Sequence, residues 1–157
     1  MTEHAFLLQR VQPAMVGLID GSLSTLAPIF GIALYTQKPH AAFVAGLATS
    51  IGAAISMAYS EGLSDTGELT GRGRPIIRGT ITGVGAFIGG ILHTLPFLIP
   101  QYHTAIVTAG VVVGFELVGL AALRWRFFET SFVKSLGYIA LGGAVIAFAG
   151  ATIGSTA

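Results

Sequence analysis

Cysteine is absent from the 157 residues, which excludes disulfides, thiolate nucleophiles and Cys-based zinc or iron–sulfur sites. Charge is scarce too: Asp, Glu, Lys and Arg make up 10% of the chain, where a soluble domain carries roughly 25%. Water is therefore not its main solvent. No cluster of basic residues marks a nucleic-acid surface. No serine has His and acid partners spaced to activate it, no phosphate-binding glycine loop follows a strand, and no His pair has zincin spacing, so no enzymatic function is expected. The alternation of a β-barrel is also missing. Met1 to Arg10 lacks a basic leader region and carries Glu3, so a cleaved signal peptide is not expected.

What the chain does have is apolar length. A spanning helix needs about 20 apolar residues, so five spans with short connections account for nearly the whole chain. The runs are about Val11 to Tyr35, Ala41 to Tyr59, Ile76 to Ile99, Thr104 to Leu123 and Phe132 to Ile153. The reading is an all-α polytopic membrane protein of five transmembrane helices, with residues 1–10 as a cytoplasmic segment and residues 11–157 as one transmembrane domain. The second helix is expected to protrude through the polar stretch Ser60 to Glu68. Thr70 to Arg74 is a turn, with Pro75 suited to open the third helix. Arg124 to Glu129 reads as an interfacial anchor of aromatic and basic residues.

Lys and Arg fall on alternate sides very unevenly. One side receives Arg10, Arg72, Arg74, Arg78, Arg124, Arg126 and Lys134, and the other receives Lys38 alone. By the positive-inside rule the N-terminus is cytoplasmic and the C-terminus outside. Glycines recur four residues apart at Gly17 and Gly21, Gly79 and Gly83, Gly85 and Gly89, and Gly110 and Gly114. Such small-residue faces let helices approach closely, either within one bundle or between the two copies of a dimer.

An ionisable side chain in hydrocarbon costs at least about 2.5 to 3.5 kcal/mol, so each one demands a reason. Asp20 lies nine residues into the first helix, roughly 13 Å below the cytoplasmic surface at about 1.5 Å per residue. Met57 and Glu61 share a face of the second helix, and Asp65 and Glu68 are expected to extend that face towards the cytosol. The result is a ladder of carboxylates at the mouth, a thioether below them and Asp20 deeper. Oxygen ligands suit hard divalent ions, while a thioether biases a site towards Fe²⁺ or Mn²⁺ over Mg²⁺ or Ca²⁺. The bland alternatives are core filling for Met57, a solvated helix end for Glu61, Asp65 and Glu68, and a structural hydrogen bond for Asp20. Glu116, midway along the fourth helix, is the second embedded acid. It would relay protons, pair with Arg124 or cap a contact between helices. His93, near the outer end of the third helix, reads as interfacial rather than as a ligand, and with His103 in the outer loop it is at most an exit site.

Gly17-Leu18-Ile19-Asp20-Gly21 resembles the first helix of the vacuolar iron transporter family. Gly52-Ala53-Ala54-Ile55-Ser56-Met57 with Glu61 four residues on resembles its second-helix signature, and Arg74-Pro75 leading to Leu95-Pro96-Phe97-Leu98-Ile99-Pro100 also looks like that family. The resemblance implies a homodimer with its ion path between the two first helices, exporting cytosolic Fe²⁺ or Mn²⁺ in exchange for protons, without a resident cofactor. Asp20 and Met57 would be pathway ligands and Glu61 would stand at the entrance. Storage-type members carry a long acidic insertion after the second helix, whereas here only Ser64 to Arg74 intervenes. That short linker resembles the membrane half of bacterial membrane-bound ferritin-like proteins. Either the chain relies on Glu61, Asp65 and Glu68 alone, or a separate ferritin-like donor supplies metal. A bacterial inner membrane is the expected location. The rival readings are a passive cation channel and a non-transporting membrane anchor.

Overall fold

The computed structural model describes residues 2–156, and all the regular structure among them is helical. Among the described residues five helices are long and apolar enough to cross a membrane: Glu3–Thr36, Pro39–Ser64, Pro75–Leu92, Tyr102–Phe128 and Phe132–Thr156. They are numbered here as the first to fifth spans. The expected all-α architecture of five membrane helices is therefore present. Residues 3–10 extend the first span as further helix, closing with a π-helical turn at Leu7–Val11.

Two prolines shape the site. The first span is broken at Thr25 into Gln12–Ser24 and Leu26–Thr36. Pro28 has no N–H to offer the Ser24 carbonyl four residues back, and its ring crowds that carbonyl, which is the usual cause of such a kink. The third span ends at Leu92, seven residues before the expected Ile99, and Leu95–Leu98 continues as a 3₁₀ turn. Pro96 stands four residues after Leu92 and breaks the ladder in the same way. Irregular backbone at membrane depth must be covered by protein, and His93, Thr94, Pro96 and Phe97 are all buried. The fourth span, by contrast, runs through the expected interfacial segment to Phe128 and ends on Glu129 in the left-handed region at φ 52°.

The third span is the central helix, and glycine makes its approach possible. A Cβ on Gly17 or Gly21 would run into the Thr82 carbonyl or the Ala86 backbone. One on Gly79 or Gly83 would meet the Ala58 or Ala54 carbonyl of the second span, and one on Gly85 or Gly89 would meet Ala14 or Leu18 of the first. Three of the four glycine pairs are thus spent on packing within the chain. Gly110 and Gly114 of the fourth span have open space where a Cβ would stand. Apolar side chains close the bundle in two clusters: Ile29, Ala33, Ala42, Phe97, Ala105 and Ala109 in one, and Val11, Met15, Leu120 and Ile139 in the other.

Candidate metal pathway and its charged surroundings

Asp20 and Val16 and Ser24, each four residues apart, form a row on the side of the first span turned away from the glycine contacts. Val16 is 41% exposed, Ser24 is exposed and Asp20 is half-buried. Among the described residues Asp20 makes no side-chain hydrogen bond and no ion pair. A fixed internal partner, the structural reading of this carboxylate, is therefore not found. Met57 is half-buried one turn before Glu61 on the second span.

The mouth differs from the expected row of free acids. The second helix ends at Ser64, with Asp65 as its extended C-cap, so Glu68 leaves the helix face and lies exposed in the turn. The linker folds back through three glycines in the left-handed region, Gly67, Gly71 and Gly73, and Gln9 Nε2 donates to the Gly71 carbonyl at 3.0 Å. Arg78, fully buried, reaches up from the third span into this end. Its Nε donates to Glu61 Oε1 at 2.9 Å and its Nη1 to Asp65 Oδ1 at 3.3 Å. Its Nη2 donates to the Glu61 and Asp65 carbonyls and to Ser64 Oγ, each at 3.3 Å. One guanidinium thus binds two acids and caps the carbonyls at the negative end of the helix dipole.

Arg72 closes the same acids from outside, with Nη2 2.7 Å from Glu61 Oε1 and Nη1 3.2 Å from Asp65 Oδ2. Partial burial alone would raise the Asp65 carboxyl. Hydrogen bonds from Thr70 and from the Gly67 amide, with the nearby Arg78 and Arg72 charges, outweigh it and hold Asp65 below the usual carboxylate range. Glu61 and Asp65 are thus brought together, but around arginine. No group of three or more His, Asp and Glu side chains able to hold a metal ion occurs among the described residues.

Of the alternatives for Glu116, the contact between helices is the one found, and the interfacial reading of His93 needs correcting. Glu116 does not pair with Arg124: its Oε2 lies 2.6 Å from His93 Nδ1. His93 is not interfacial. It is fully buried, because the third span stops early and leaves it level with the middle of the fourth, and its Nε2 is 2.6 Å from Thr25 Oγ1 at the kink. His103 is exposed on the first turn of the fourth span, edge-on to Tyr102. The sequence signals for this cluster were Pro28 and Pro96, which set the two helix breaks that bring Thr25 and His93 to one level.

The fold and these embedded groups define a multi-pass helical membrane protein whose first span carries a carboxylate without a partner among the described residues, beside an ion-paired linker end. Residues 11–70, the first two spans and the start of the linker, match the model of the VIT family. The matched segment contains Asp20, Met57, Glu61, Asp65 and Glu68. No curated protein and no solved structure matches the chain.

Proposed function

We propose that the chain is a divalent-metal exporter that moves Fe²⁺ or Mn²⁺ from the cytosol to the outside in exchange for protons. The observation that carries this reading is Asp20. A carboxylate at membrane depth, with no partner among the described residues and on an outward row of the first span, is costly unless something outside the chain compensates it. A second copy facing it across a two-fold axis would supply the missing surroundings, and each ligand would then appear twice. Two Asp20 carboxylates and two Met57 thioethers would surround one ion, a mixed donor set that suits Fe²⁺ or Mn²⁺.

In this reading a hydrated ion is drawn to Glu68, Asp65 and Glu61 at the mouth, sheds water and passes to Asp20 and Met57. Deprotonation accompanies ion binding, and protons from outside release the ion. Arg72 must swing away from Glu61 and Asp65 for the ion to be handled there. Its partial exposure, 22% of the side chain, leaves it room to do so. A bacterial inner membrane, with metal supplied directly or by a separate ferritin-like donor, is the setting that fits the short linker. Proteoliposomes offered Fe²⁺, Mn²⁺, Co²⁺ and Zn²⁺, with and without a proton gradient, test the reading. Uptake of Fe²⁺ or Mn²⁺ that responds to the gradient is the expected result. Flux indifferent to the gradient would mean a passive channel, and no flux would leave a membrane anchor.

A further inference from the structure

We infer that Thr25, His93 and Glu116 form a buried proton-carrying site whose state is passed to the kinked first span through the Thr25 hydroxyl. The proton site stands on geometry, and its coupling to metal movement rests on the transport reading above. Thr25 Oγ1 donates its one hydrogen to the Gly21 carbonyl at 2.9 Å. With the hydrogen so placed, the same oxygen accepts from His93 Nε2 at 2.6 Å and Nε2 carries a hydrogen; with the hydroxyl turned to Nε2 instead, that nitrogen accepts. The 2.6 Å contact between Nδ1 and Glu116 Oε2 must hold another, because an imidazole lone pair facing a carboxylate would repel. In the first arrangement the pair stores one proton more than in the second, as imidazolium with carboxylate or as imidazole with carboxylic acid. Glu116 Oε1 is buried without a partner, a second place for a proton or a water in a side chain only 8% exposed.

Loss of the stored proton to water has a defined consequence. His93 keeps Nδ1–H towards the Glu116 carboxylate, and Nε2 becomes an acceptor. Thr25 must then turn its hydrogen from the Gly21 carbonyl to Nε2. That carbonyl belongs to the residue after Asp20, in the half-helix below the Pro28 kink. Proton uptake reverses the exchange. The site lies between the two apolar clusters of the core, so a change in its hydrogen bonds is not diluted by solvent.

Few other titratable groups face it. The first span offers Asp20, five residues below Thr25, with Tyr35 at its far end; the second offers none between His40 and Tyr59; the third none between Arg78 and His93. The fourth offers only Glu116 between His103 and Arg124, and the fifth only Tyr138 beyond Lys134.

The test uses the full chain in liposomes, with Mn²⁺ accumulation measured with and without a pH gradient, for the natural protein and for Glu116→Gln, Thr25→Val and Thr25→Ser. Nitrogen NMR of ¹⁵N-histidine protein in nanodiscs adds a readout that needs no transport, with His93 assigned by its loss in His93→Gln or, should that variant not fold, by its shift in Glu116→Gln. The expected spectrum shows a hydrogen on His93 Nε2 in the protonated arrangement, and a His93 signal altered in Glu116→Gln. Gradient-driven accumulation is expected to fall about tenfold in Glu116→Gln and Thr25→Val, within the usual range of coupling factors, and to return in Thr25→Ser. A His93 signal that Glu116→Gln leaves unchanged, or undiminished gradient-driven accumulation in that variant, overturns the inference. If the natural protein moves no metal at all, the transport reading fails, and the His93 spectrum alone decides the proton site.

Discussion

Arg78 and Glu61, seventeen residues apart in sequence, form an ion pair in which the arginine side chain is fully buried and its Nε lies 2.9 Å from Glu61 Oε1. The pair joins the second and third spans at the end where the linker turns. Removing one partner of a buried pair costs more than the pair itself is worth, because it strands the other charge. Arg78→Gln is therefore expected to lower stability by about 3 kcal/mol or more, read as a drop in the unfolding midpoint in detergent. A variant as stable as the natural protein would show that Arg78 does not hold the linker.

Arg72 is expected to behave differently, because it is partly exposed and blocks the acids rather than supporting them. A pair at this exposure is worth about 0.2 to 1 kcal/mol. Arg72→Gln should then fold normally and reach half-maximal metal flux at a concentration up to about fivefold lower, since about 1.4 kcal/mol is tenfold. A higher concentration requirement would mean that Arg72 helps the ion in.

The depressed Asp65 carboxyl gives the linker an acid limit. A carboxyl held below its unfolded value contributes stability in full above that unfolded value, and the contribution is lost as pH falls through the folded one. Amides of the turn, Gly67 and Gly71 among them, should stay protected from hydrogen exchange at neutral and mildly acidic pH. They should lose protection only on acidification below the ordinary aspartate range. Thr70→Val removes one of the bonds that lower Asp65 and should move that loss to higher pH.

Glycine positions separate packing from free surface. Gly21→Val is expected to cost about 1 to 3 kcal/mol, as overpacking does, because its Cβ would meet the Ala86 backbone. Gly114→Ala should be neutral or slightly stabilising within the chain, since nothing lies within 4 Å of the added Cβ and alanine favours helix over glycine. Unfolding midpoints of the two variants test this directly.

Much of the architecture was legible because bilayer length and hydrocarbon polarity act on local sequence. Five apolar runs gave five spans, and Asp20 stood out as a lone carboxylate among apolar neighbours. Helix ends inside the membrane were harder to place, since apolar composition continues across the Pro96 break. His93 therefore looked like an outer-edge residue, although its burial follows once the third span is ended at Leu92. Arg72 and Arg78 were read only as cytoplasmic charges. That Arg72 and Arg78 neutralise Glu61 and Asp65 depends on the linker folding back through Gly67, Gly71 and Gly73, a tertiary arrangement with no periodic signal.

Asp20→Asn is the most direct measurement of the account, because it keeps the size of the side chain and removes only its charge and acidity. Metal flux into proteoliposomes should drop to the level of empty vesicles while the variant purifies with the natural unfolding midpoint and oligomeric size. Full Fe²⁺ and Mn²⁺ flux through Asp20→Asn would contradict the claim that this unpartnered carboxylate is where the transported ion binds.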